Sequence, residues 1–120
     1  MPSLLVHITC GPENPTKSAL AFFVAAAAAE AGHEVHMFLA GDGVQLMRPP
    51  VLNNLVGLGT GSLREHYDKF VSGAGRLYLS GGSCAARGVH EADLDGVPHE
   101  KAGPPMLVRL VMECDRNIVY

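Results

Sequence analysis

At 120 residues the chain has the length of one domain, taken here as residues 1–120, and its 48% hydrophobic content is enough for a core. The formal net charge is -3. No Lys/Arg cluster offers a phosphate-binding stripe, which excludes nucleic acid as an expected partner. Charged residues make up only 18%, thin for a monomer that must be wet on every side, so a covered surface and a homo-oligomer are expected.

Ser3–Thr9 is a near-continuous apolar run, the pattern of a strand buried on both faces. Asn14-Pro15 then gives an N-cap followed by proline at the first helical position. The helix it opens extends to Ala31 and stops at Gly32. From Ala19 to Ala29 this helix carries no charge on any face. A helix apolar all round is buried on more than one side. One side is expected to face the sheet and the other a second subunit.

Glu34–Leu39 reads as a second strand, after which Asp42 is placed to cap a short helix over Val44–Met47. Arg48-Pro49-Pro50 breaks that helix, and Val51–Thr60 gives no clear period. Ser62 with Glu65 is a capping-box pair opening a helix to about Val71. Arg76–Ser80 is a third strand, followed by the small-residue turn Gly81-Gly82-Ser83 and a helical turn from Cys84 to Arg87. Val89–Gly103 reads as a polar loop with one turn near Glu91–Leu94. Pro104-Pro105 starts a helix to about Cys114, with Met106, Leu107, Leu110, Val111 and Cys114 as its apolar stripe. Asn117–Tyr120 closes the chain as a strand. Strands alternating with helices imply an α/β fold, in three layers, with a mostly parallel central sheet of about five strands.

Ligands of open parallel sheets bind beyond the carboxyl ends of the strands. Three loops lie there: Cys10–Thr16, Ala40–Gly43 and Ser80–Cys84. Their candidate ligand-binding residues are Cys10, Gly11, Asn14, Thr16, Asp42, Ser80, Gly81, Gly82, Ser83 and Arg87. The loop feeding the first helix is the better candidate for a small anion, because a helix N-terminus attracts negative charge. Cys84, at the opening of a helical turn with Arg87 one turn later, is the candidate nucleophile, since a helix start lowers a thiol pKa. A packing role for Cys84 stays open beside that one, as it does for Cys10. Cys114 falls on an apolar stripe and reads as core.

The cysteines show no CxxC and no disulfide framework, and the six histidines show no metal spacing. No metal and no cofactor are expected. Gly57–Gly61 fits neither nucleotide fingerprint, and the strand-end loops hold no aromatic to flank a flavin. Reduced thiols, the absence of a basic leader and the lack of an apolar run long enough for a bilayer make a cytoplasmic protein without membrane contact the expectation.

The segments Leu4–Ala25, Gly32–Met47 and Arg76–Val89, with the closing helix and strand, resemble the DsrE/DsrF-like family. The resemblance implies a central parallel sheet and assembly into trimers or hexamers. Some members are sulfur-relay proteins, with a persulfide on a cysteine in the loop after the strand matching Arg76–Ser80. Counting back from Arg87-Gly88, that position falls on Ser80. Two functions are therefore expected as alternatives. One is an oligomeric module that binds a small molecule, such as a small anion, or a protein. The other is a persulfide carrier or sulfurtransferase that uses Cys84 and meets other sulfur-relay proteins.

Overall fold

Leu5, Val6 and Ile8 are fully buried on strand β1 (Ser3–Ile8), as the apolar run requires. The computed structural model describes residues 2–120. Helix α1 (Pro15–Glu30) follows, with Asn14 Oδ1 accepting from Lys17 N at 3.2 Å as its N-cap. Strand β2 (Glu34–Leu39) pairs with β1 in parallel. A 3₁₀ segment, Gly41–Met47, and the short helix α2 (Pro49–Leu52) lead to a small antiparallel hairpin of β3 (Val56–Gly57) and β4 (Gly61–Ser62). Helix α3 (Leu63–Ser72) is capped by Ser62, whose hydroxyl accepts from Glu65 N. Strand β5 (Arg76–Ser80) leads directly into helix α4 (Gly81–Arg87). A 3₁₀ turn over Glu91–Leu94, strand β6 (Glu100–Ala102), helix α5 (Pro104–Glu113) and strand β7 (Arg116–Val119) complete the chain.

The sheet order is β6-β5-β2-β1-β7, and every pairing in it is parallel. Helices lie on both sides, so the expected α/β architecture is present. The two sides are unequal. Val6, Ile8, Met37, Leu39, Leu77 and Leu79 point into a large core with Phe22, Leu46, Met47 and Phe70. Leu5, Phe38 and Tyr78, on the opposite face, meet α5 through Leu110, with Met106, Leu107 and Cys114 half-buried beside them.

Four expectations need correcting. The uncharged stretch Ala19–Ala29 of α1 does not need a second subunit to cover its other side. Phe22 packs edge-on against Phe70 at 6.4 Å, and α3 with the hairpin covers that side within one chain. Asp42 does not cap the segment after β2. The N-cap there is Ala40, with no side-chain cap bond. Cys84 does not open its helix. The helix begins at Gly81, with Ser80 as N-cap, so Cys84 sits in its interior. The polar stretch Val89–Gly103, expected as a loop, contains the edge strand β6.

Candidate functional site

The carboxyl ends of β1, β2 and β5 bring three loops into contact. Ala40 N donates to Ile8 O at 2.9 Å, closing the first loop against the second. Gly11 is held so near the second loop that a Cβ on it would overlap the backbone carbonyl of Asp42. A Cβ on Gly43 would come 2.8 Å from Ile8 O. These approaches admit only glycine, which is why small residues crowd this edge.

The third loop is tied in by side chains. Gly41 N donates to Ser83 Oγ at 2.8 Å. Arg87 Nε donates to Asp42 Oδ1 at 2.9 Å. Ser80 Oγ accepts from Ser83 N at 3.2 Å, which spends the hydroxyl on capping α4. Arg48 Nη2 donates to Arg87 O at 2.7 Å, securing the other end of the same helix. Ser83, Arg87, Asp42 and Gly41 therefore form one hydrogen-bonded cluster, with Ser80 joined to it through Ser83.

Cys84 is buried, with 1% of its surface exposed. Burial pushes its thiol pKa up, because a thiolate loses its hydration there. Lys101, Arg48 and Arg87 pull in the opposite direction without offsetting that loss. The expected lowering by a helix start is thus replaced by a raised value. It belongs to the large core on this side of the sheet, with Val89, Leu94 and Val97 in the same cluster, and its carbonyl accepts from Val89 N at 2.9 Å. Cys10 is half-buried, and its sulfur meets Ser18 Oγ at 3.5 Å. All three cysteines are free thiols. Burial raises the Cys114 thiol as well.

Other candidates serve neighbouring structure. Asn14 caps α1. Thr16 holds the hairpin: its Oγ1 accepts from Leu58 N at 3.1 Å and its carbonyl from Thr60 Oγ1 at 2.9 Å. At the anion candidate, Gly11 N donates to both Glu13 carboxylate oxygens at 2.9 Å, so the chain's own carboxylate occupies that donor. Gly81 and Gly82 form the first turn of α4, with open space where Gly82 would carry a Cβ.

Sequence reasoning missed four residues here. Ser18 is fully buried and donates from Oγ to Gly11 O at 2.8 Å. Glu13 and Arg48 are described above. Lys101 on β6 lies 2.6 Å from Glu91. The position of Ser18 on the inner face of α1 was a usable signal, but nothing in the sequence marked Arg48 or Lys101. A surface hollow of about 610 Å³, lined by Ser3, His33, Asp115 and Arg116 among others, lies at the opposite, amino edge of the sheet. It shares no residue with the loop cluster. No group of three His, Cys, Asp or Glu side chains is placed to hold a metal among the described residues. No helix among them is long and apolar enough to cross a membrane.

A model of the DsrE/DsrF-like family matches residues 3–120. No curated protein matches by sequence. Among solved structures, the YchN protein of E. coli superposes with a TM-score of 0.81 at 15% identity, covering 100% of each chain. The protein of unknown function BT1422 from Bacteroides thetaiotaomicron gives 0.70 at 13% identity, over 98% of this chain and 94% of its own. The protein of unknown function MTH1491 from Methanobacterium thermoautotrophicum gives 0.67 at 14% identity over 100% of both chains. At such identities the likeness concerns the fold.

Proposed function

The chain belongs to the DsrE/DsrF-like family, and on that premise we propose that it works as a cytoplasmic homo-oligomeric module that binds a small molecule or a protein at the loop cluster, without carrying sulfur. The observation that supports this reading is the state of Ser80. It stands where the resemblance puts the persulfide cysteine of the relay members, and its hydroxyl caps α4. A serine hydroxyl cannot hold a persulfide. Cys84, four residues on, offers a buried thiol of raised pKa, whereas a carrier needs an accessible thiolate.

The alternative, a carrier using Cys84, is separated from this reading by one experiment. A donor persulfide passes its outer sulfur to an attacking thiolate and leaves as a thiol. The protein is incubated with such a donor, and its intact mass and peptides are measured. The binding reading expects no reducible 32-dalton addition on Cys84 (roughly the mass of one sulfur) under conditions where a thiolate would react. A stable addition there, absent from Cys84→Ser, would overturn it. Ligand screening by melting temperature then identifies what binds, since a saturable rise reports binding to the folded state.

A further inference from the structure

Helix α5 carries Met106, Leu107, Val108, Leu110, Val111 and Met112 in ten residues, yet only Leu110 is fully buried. Val108 is 60% exposed, Val111 41% and Met112 79%. A helix apolar on both its inner and outer sides is one whose outer side is covered in the working assembly. We propose that the outer face of α5 is a docking surface for a second copy of this chain, packed antiparallel across a two-fold axis at the level of Val111. This rests on the homo-oligomeric part of the reading above and names its contact.

The charge pattern selects that occupant. Arg109 and Glu113 flank the apolar residues, one turn apart, with Arg109 Nε 3.3 Å from Glu113 Oε2 and both side chains mostly exposed. A two-fold contact is self-complementary: if one residue faces a second, the second faces the first. With the axis level with Val111, Arg109 lies as far before it as Glu113 lies after it. Arg109 therefore comes opposite the partner's Glu113, and Glu113 opposite the partner's Arg109. The two intrahelical pairs close into a ring of alternating charge. Along the seam the same operation alternates Val108, the partner's Met112, Met112 and the partner's Val108, at intervals of about 3 Å along the helix axis. Val111 meets its own counterpart on the other flank. Apolar seam and charged flank thus satisfy the same symmetry operation.

A two-fold contact also restricts the assembly. A trimer with cyclic symmetry has no two-fold axis, whereas a dimer or a hexamer has one. The even-numbered states follow.

Light scattering on the eluting full chain at micromolar concentration tests this with four samples. Wild type is expected to be even-numbered. Arg109→Glu alone places four acids in the ring, and Glu113→Arg alone places four bases there. Each is expected to halve the mass, with the dissociation constant raised at least tenfold, roughly the penalty of like-charge juxtaposition. An equimolar mixture of the two variants is expected to restore the full mass, because each supplies the charge the other lacks. Near-ultraviolet circular dichroism checks that both variants remain folded. Wild-type mass retained in both variants would overturn the α5 contact and leave the oligomeric reading standing, as would a wild-type trimer. Failure of the mixture to reassemble would overturn the Arg109–Glu113 register. A wild-type monomer would overturn the contact and the oligomeric reading together.

Discussion

Arg87 on α4 donates from Nε to Asp42 Oδ1 at 2.9 Å, joining the loop after β2 to the helix after β5. The same guanidinium reaches back to Ser83 O at 3.4 Å, and Ser83 Oγ accepts from Gly41 N. Asp42 is more than half exposed and Arg87 about a third, so solvent screens the pair. A double-mutant cycle of Arg87→Ala and Asp42→Asn, read by urea unfolding, is expected to give a coupling of about 0.5 kcal/mol. Arg87→Ala alone is expected to cost roughly 1 kcal/mol, because it also removes packing by the side-chain stem. A coupling near zero would show that the cluster is held by Ser83 and the backbone alone.

The Ser80 reading makes an opposite prediction for a designed change. Ser80 is half-buried at the mouth of the loop cluster, unlike Cys84. Ser80→Cys places a thiol at the position where the resemblance to the relay members puts their persulfide cysteine. That variant is expected to accept sulfur from a persulfide donor at residue 80, with Cys84 unlabelled in the same molecule. It is also expected to lose about 1 kcal/mol of stability, since a thiol is a poor replacement for a capping hydroxyl. Mass spectrometry of the mapped peptides reads the first effect and urea unfolding the second. Equal labelling of both thiols would contradict the contrast in accessibility.

Cys84 also predicts a pH dependence. Burial raises its pKa in the folded state, so the unfolded thiol ionises first as pH rises. The resulting stability is fully present below the ordinary thiol value and is lost as pH climbs through the folded value. Wild type is therefore expected to lose urea resistance from about pH 8.5 upward more steeply than Cys84→Ala. In the native state at pH 8, iodoacetamide is expected to modify Cys84 at least about tenfold more slowly than Cys10, with the difference vanishing in urea. Equal rates in the native state would mean that the core around Cys84 opens readily.

Several elements were legible because their signals are local. The apolar runs marked β1, β2 and β5. Asn14 with Pro15, and Ser62 with Glu65, marked the starts of α1 and α3. What escaped depends on tertiary contacts. Strand β6 is Glu-Lys-Ala, with its charged residues exposed. It exists because β5 offers an unpaired backbone edge. Helix α4 starts on two glycines, against their intrinsic preference, because Ser80 caps it and the core takes Cys84. The location of uncovered apolar surface was misjudged for the same reason. The sequence shows Ala19–Ala29 of α1 without charge, but only the fold shows α3 lying against the helix. On α5 the sequence stripe included Val111, which the fold leaves outside. The strand order and loop positions are enough to place Asp42, Ser83 and Arg87 at one sheet edge, where hydrogen bonds join their loops. The burial of Cys84 comes from its place in the large core, to which the later residues Val89, Leu94 and Val97 also belong, and no local pattern announces it.

His7 provides a test on the thinner side of the sheet. It lies on β1 between Phe38 and Val119 in the strand register, with its ring edge-on to Phe38 at 5.8 Å. Its Nε2 is buried and has no hydrogen-bond partner among the described residues. Burial lowers its pKa, because the imidazolium would lose hydration with no acceptor in return. In the unfolded chain the same imidazole takes up a proton near its ordinary value of about 6.5. Its contribution is therefore fully present above that value and is lost as pH falls through the lower folded value. The urea midpoint of wild type is expected to drop between pH 8 and pH 5.5 by more than that of His7→Leu, which fills the site without a titrating group. The other five histidines are common to both proteins, so the difference between the two slopes isolates His7. Parallel slopes would show that a proton on His7 finds an acceptor in solution, and that this side of the sheet is wetter than its geometry implies.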